Sequence, residues 1–154
     1  MKTISIRQPW GSMIVDGPKR IENRGARTYT RGWVLIHSAL TFDETALPWL
    51  THQGKKFTAP LDLAMLMHGR VIAKRPDLPT GGIIGAMNIT DCVQASDSPF
   101  WRGPHGYVID RVVKLPFHPC RGLPGIFDVT LPPDIAALVP GISYTIEKEA
   151  KRKL

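Results

Sequence analysis

Fourteen glycines and fourteen prolines in 154 residues punctuate this chain so often that short strands joined by turns are expected, rather than long helices. With 43% hydrophobic residues the length suffices to bury a core without disulfides or metals, so one domain is expected, with disorder confined to the ends. Periodicity alone says only mixed α and β.

The front of the chain is the most informative stretch. Ile4 and Ile6 alternate with Thr3, Ser5 and Arg7, the period of a half-buried strand, and Pro9 stops the ladder while suiting the first turn of a helix. Trp10, Met13 and Ile14 at i, i+3 and i+4 form one apolar stripe, and Gly17-Pro18 ends the helix. Lys19, Arg20, Glu22 and Arg24 then crowd charge around an apolar Ile21. Charge this dense beside a compact element is either a solvated edge or the lining of a cleft.

Gln8-Pro9-Trp10, then Gly17, Lys19, Glu22 and Arg24 in the spacing Gly-x-Lys-x-x-Glu-x-Arg, then Arg31-Gly32 running into the apolar stretch 33–37, together resemble the ASCH family. The similarity is close over the N-terminal forty residues and looser through 81–92 and 98–107. The resemblance implies an α+β fold, a small PUA-like mixed β-barrel of about six strands with short helices inserted in the N-terminal half. Residues 1–146 would then be a single such domain, and 147–154, with too little apolar surface to pack firmly, are expected as a basic tail. The resemblance also implies a family tied to RNA or DNA binding, with hydrolase activity in a few members.

Composition points the same way. Twenty Lys plus Arg against thirteen Asp plus Glu give +7 and a pI near 9.7, favouring an anionic partner such as nucleic acid. Met1-Lys2 leads into an amphipathic strand and no run approaches the roughly 18 apolar residues of a membrane span, so a cytoplasmic protein without membrane contact is expected, monomeric and with no cofactor. Cys92 and Cys120 are then expected as reduced thiols, and without a His/Cys cluster at ligand spacing they make no zinc site.

Further along, residues 24–32 read as the most basic loop, and 33–37 as a central strand buried on both faces. Asp43-Glu44 reads as a helix start, with Ala46, Leu47 and Leu50 as its stripe. A second short helix is expected over 60–67, Pro60 in its first turn and Gly69 past its end, with Leu61, Met65, Leu66 and Met67 as core filler. Strands are expected over 83–91, where Gly85 marks a bulge or close approach, over 107–113 and over 126–129. A Pro- and Gly-rich connection over 116–125 separates the last two. A helical turn at 133–138 and a closing strand at 141–146 complete the sheet. Phe100 and Trp101 beside Arg102 and His105 have the composition of a base-stacking surface and equally of a lid packed on a barrel end. His37 reads as a satisfied core histidine and His105 as an exposed one.

Five cations, Lys19, Arg20, Arg24, Arg27 and Arg31, fall within thirteen residues against Glu22 alone, with Trp10, Tyr29 and Trp33 nearby. Arginine forks bind phosphate bidentately and aromatic faces stack on unpaired bases. The bland alternative is a solvated face with Trp10 and Trp33 in the core, where Trp33 is expected in either case. The cleft expected to take RNA, another single-stranded nucleic acid or a modified nucleotide combines Gln8, Trp10 and Arg24 with Arg27, Arg31 and the Trp101, His105 and Tyr107 loop.

Lys19 and Glu22 are the candidates for catalysis, in a metal-independent ribonuclease or an amidohydrolase on a modified nucleoside. A buried lysine beside other cations has its pKa lowered, and a carboxylate orients water or takes a proton, with His105 as the other candidate base. The resemblance implies that the lysine matching Lys19 is catalytic in members that hydrolyse acetylated cytidine, but those members carry a threonine where this chain has Glu22. Strict alternation puts residues 19 and 22 on opposite faces of a strand, so they converge only if Lys19 still lies in the preceding turn or a bulge intervenes. The competing reading is an ion pair of Glu22 with Lys19 or Arg24 that fixes the turn.

Overall fold

Alternation at the front of the chain produces β1 (Lys2–Gln8), with Ile4, Ile6 and Gln8 buried on one side, and the i, i+3, i+4 stripe produces α1 (Trp10–Val15), with Trp10, Met13 and Ile14 buried. The computed structural model describes residues 1–142. The closing strand expected at 141–146, beyond its first two residues, and the tail at 147–154 lie outside the described residues. Gly17 adopts φ +126°, which only glycine takes easily, and lets the chain reverse after α1 into β2 (Ile21–Arg24).

Next come β3 (Gly32–Phe42), α2 (Ala46–Gly54), α3 (Pro60–Ala73), β4 (Gly82–Val93), β5 (His105–Pro119), β6 (Ile126–Asp128) and α4 (Pro133–Ala136). The six strands form one mixed sheet in the order β2-β5-β4-β3-β1-β6. β1 runs parallel to β3 and antiparallel to β6, and the β3-β4-β5-β2 run is antiparallel throughout. The result is the expected α+β arrangement, with the ladder open between β2 and β6. The sheet curls nonetheless: the guanidinium of Arg24 in β2 donates to the Ser5 carbonyl of β1 at 3.1 Å, although three strands separate the two in the ladder.

Two apolar clusters cover the sheet. The larger gathers Ile4, Ile6, Trp10, Met13, Ile14, Ile21, Val34, Ile36, Met87 and Ile109 with Leu50, Leu66 and Ile72 from α2 and α3. The smaller joins Leu35, Ile83, Ala86 and Leu115 to Leu131, Ala136 and Val139. β3 therefore presents its middle, Val34 to Ser38, buried on both faces, as its unbroken apolar run predicts. Trp33 sits only half-buried at the edge of the smaller cluster, with the Arg111 guanidinium 5.3 Å over its ring, so it is not the fully enclosed core residue expected.

Elements run longer than the glycine and proline content suggests, because several of these residues sit inside them. Gly69 does not end the second helix, which continues to Ala73; a Cβ there would come within 3.3 Å of the Phe100 ring, so the missing side chain is a packing requirement. Pro116 lies within β5, opposite the slip in register between Ile83 and Gly85, where a bulge tolerates its absent N–H. Of the four expected core fillers on α3 only Leu66 is fully buried, Met65 is partly so, and Leu61 and Met67 face outward. The first of the two helices begins at Ala46, not at Asp43: Asp43 is buried, its carboxylate accepting from the Thr45 N–H and hydroxyl. Phe100 is wholly buried and so packed rather than exposed, whereas Trp101 beside it is half-buried.

Candidate nucleic-acid site

The turn after α1 decides where Lys19 goes. Its backbone N–H is held by the Met13 carbonyl at 3.1 Å, so Lys19 belongs to the turn and not to β2, and the alternation that would separate it from Glu22 does not apply. The side chain folds back to donate from Nζ to the Ile21 carbonyl and to Glu22 Oε2, the latter at 2.6 Å. Both groups are nearly sealed from solvent, with Lys19 1% and Glu22 6% exposed. Glu22 and Arg24, two apart in β2, share a face, and Arg24 Nη1 lies 3.7 Å from Glu22 Oε1.

Burial holds the Lys19 ammonium below the usual lysine range. The charge and hydrogen bond of Glu22 oppose that drop, and the charges of Arg102 and Arg24 add to it.

A cavity of about 610 Å³ opens above this pair, lined from β1 by Ser5, Ile6 and Arg7, from β2 by Glu22, Asn23 and Arg24, and otherwise by Trp10, Lys19, Asp43, Thr45, Arg102 and Gly103. Asp43 organises the far wall. Its Oδ2 accepts from Trp10 Nε1 at 2.8 Å and stands 3.7 Å from Arg102 and 3.9 Å from Arg7. Burial pushes the Asp43 pKa up, but the Thr45 and Trp10 hydrogen bonds and Arg7 outweigh it and hold the carboxyl below its usual range. The Arg102 guanidinium lies 5.7 Å from the Trp10 ring centre and 5.2 Å from that of Trp49, two indoles packed edge to face. Asn23 fixes the loop carrying Arg102: it donates to the Phe100 carbonyl and accepts from the N–H groups of Arg102 and Gly103.

Trp10, Lys19, Glu22 and Arg24 thus share one hollow, while the other expected site residues stand elsewhere. Gln8 is fully buried and spends its amide on Ser12 and Pro79. The hydroxyl of Tyr107 donates to the Ala26 carbonyl and so anchors the basic loop. Trp101 lines a separate, shallower cavity with residues 96–99. His105 pairs with Arg24 in the β2-β5 ladder but does not line the main cavity, and its Nδ1 is buried with no hydrogen-bond partner among the described residues. It is therefore less open than expected. In the basic loop, Arg27 stacks on the exposed Tyr29 and Arg31 is tied to Asp91 and the Thr28 and Thr30 carbonyls, all outside the cavity.

Arg7, Asp43 and Arg102 are the members that reading the sequence missed. Arg7 continues the solvent-facing alternation of β1 past Ser5, a signal that was present; Asp43 and Arg102 arrive from distant segments with no local sign. Among the described residues no cluster of His, Cys, Asp and Glu has the makings of a metal site, and no helix is long and apolar enough to cross a membrane.

Comparison with known proteins places this geometry in a family. Activating signal cointegrator 1 from Homo sapiens is 28% identical over an alignment covering 80% of this chain, and its Mus musculus counterpart is 27% identical over the same share. In both cases the match spans 21% of the relative, so the chain corresponds to about a fifth of those proteins. A family model described as the ASCH domain matches residues 4–149, and the chain belongs to that family, which is commonly linked to RNA binding.

Proposed function

We propose that this domain binds RNA or a modified nucleotide by admitting one nucleotide into the cavity between β1 and β2. The observation that carries this reading is the lining itself: Arg7, Lys19, Arg24 and Arg102 against Glu22 and Asp43, four cations to two carboxylates. A volume of about 610 Å³ falls within the ~300–1,000 Å³ of pockets that enclose a small ligand, room for a nucleotide and not for a length of strand. Exposed guanidinium edges of Arg7 and Arg102 suit a phosphate, and a guanidinium held beside two indoles offers a plane on which a base can lie. Single-stranded RNA titrated at rising salt should show log K falling by about 0.7 per phosphate neutralised for each unit of log salt. A flat response would remove these arginines as phosphate ligands.

One observation favours a second reading, metal-independent hydrolysis at the same site. A lysine whose pKa is driven down by burial, 2.6 Å from a carboxylate, is a proton-transfer pair as well as an ion pair. Glu22 would take the proton of an attacking water or ribose 2′-hydroxyl and return it to the leaving amine or 5′-oxygen as the amide or phosphodiester bond breaks, while Lys19 steadies the oxyanion. Incubating RNA and acetylated nucleosides with the protein and with Lys19→Met decides it: turnover that survives the substitution removes Lys19 from the chemistry.

A further inference from the structure

A second cavity, of about 600 Å³, shares Ser5 with the first. Ser5 forms the ridge between them. Its carbonyl accepts from Arg24 on one side at 3.1 Å, and its hydroxyl meets His37 Nδ1 at 3.1 Å and the Leu123 carbonyl at 3.3 Å on the other. His37 Nε2 lies 3.0 Å from the Cys120 carbonyl, which can only accept, so Nε2 carries the proton and Nδ1 shares with the Leu123 carbonyl the single proton of the Ser5 hydroxyl. The ridge is thereby held from both sides by hydrogen bonds, with Gly122 packed so close over it that a Cβ there would lie 2.8 Å from the Ser5 hydroxyl.

The two cavities differ in chemistry. Where the first is lined by charge, the second is walled by Ala39, Leu40, Leu123 and Pro124, with Arg121 at its rim. Leu40 is 80% exposed and Leu123 44%, apolar surface turned outward beside a polar hollow. Arg121 is exposed, and no carboxylate of the described residues lies within ion-pair distance of it. Apolar walls for a base, for its phosphate a cation that no carboxylate of the described residues pairs, and a lining residue shared with a nucleotide-sized charged cavity are the parts of a single-strand path.

We infer that the second cavity holds the neighbouring nucleotide of the same RNA strand, so that the ligand is an oligonucleotide of at least two residues and not a free nucleoside. The inference rests on the binding reading proposed above. Random-sequence RNA pools of one, two, three and six nucleotides, titrated by calorimetry, test it. Affinity should rise about tenfold from mononucleotide to dinucleotide, the order expected when one more base is partly buried against apolar side chains. Leu40→Asp and Arg121→Ala, both at exposed positions and checked for an unchanged melting temperature, should abolish that gain and leave mononucleotide affinity as it was.

Mononucleotide binding with no gain on lengthening, or a gain that both variants keep, overturns the inference while leaving the first cavity's role intact. Absence of binding at every length overturns both. A dimer seen by sedimentation and dissolved by Leu40→Asp would show a second copy of the chain as the occupant instead, and would likewise overturn it.

Discussion

Replacing Lys19 and Glu22 singly and together probes the energetic centre of the site. Lys19→Met keeps the length of the stem but leaves Glu22 Oε2 and the Ile21 carbonyl without their donor in a place sealed from water. Removing one partner of a buried pair costs ~3–5 kcal/mol. The retained contact of Glu22 with Arg24 at 3.7 Å puts Lys19→Met at the lower end, ~3 kcal/mol, or about 6–12 °C in melting temperature for a domain of this size. Glu22→Leu strands the ammonium instead, with Arg24 and Arg102 both repelling it, and should cost at least as much near neutral pH. The double variant Lys19→Met with Glu22→Leu removes both charges together and should recover at least half of the summed loss, since buried pairs are often replaceable by apolar residues of similar volume.

The pH dependence supplies the sign. Because the folded-state pKa of Lys19 is lowered from 10.5, the folded protein binds fewer protons than the unfolded chain between that lowered value and 10.5. Wild-type stability therefore gains a rising contribution with pH across that window, whereas below it the full burden of a buried ammonium is present. Thermal melts across the alkaline range should show this rise in the wild type and its absence in Lys19→Met. Single losses that simply add in the double variant, or alkaline profiles that superimpose for wild type and Lys19→Met, would refute the description of a desolvated, coupled pair.

Other substitutions test the surrounding walls. Gly106→Ala would place a Cβ 2.5 Å from Ile21 Cδ1 and 2.6 Å from Trp101 Cζ3, where neither can withdraw freely; a loss of ~1–3 kcal/mol is expected from thermal melts. Arg102→Lys and Arg102→Ala should each weaken RNA binding about tenfold in anisotropy titrations with little change in melting temperature, since a lysine lacks the planar group that lies over Trp10 and Trp49. For Asp43, whose pKa is held below 3.8, the stabilising contribution is present above the unfolded value and disappears as pH falls through the folded one. Asp43→Asn should therefore melt lower at neutral pH and show a shallower acid-side decline than the wild type.

What could be read from the sequence was local. Strand, proline and helix at the front follow from contacts between neighbours in the chain, and Lys19 with Glu22 was legible as a candidate pair because they stand three positions apart. Gly69 misled because its reason lies in Phe100, thirty-one residues on, whose ring occupies the space a side chain would need. Pro116 misled because a proline forbidden in a regular ladder is admissible where a bulge leaves a position unpaired. Asp43 and Arg102 reach the site through the β3-α2 junction and a loop pinned by Asn23, long-range arrangements that no local period encodes. Gln8 and Tyr107 carry the opposite lesson: residues inside a distinctive motif can spend their polar groups on holding loops in place.

The position of the cavity follows from the way the sheet fails to close. Past Ile4, where its pairing with β6 stops, β1 faces β2 across the curl, yet three strands separate them in the ladder and no backbone pairing joins them. A barrel sealed there by a regular ladder would bring the two strands about 5 Å apart and leave no room for a guest. Here the seam is bridged instead by the Arg24 side chain reaching the Ser5 carbonyl, and the remainder is the cavity, lined on one side by Ser5, Ile6 and Arg7 and on the other by Glu22, Asn23 and Arg24. Unpaired strand edges carry polar backbone groups that must be satisfied, which explains why charged side chains gather along this gap and not along the apolar sides of the sheet. The same seam that costs the fold a ladder leaves a hollow whose donors and acceptors are already oriented, the arrangement that the proposed nucleotide would meet.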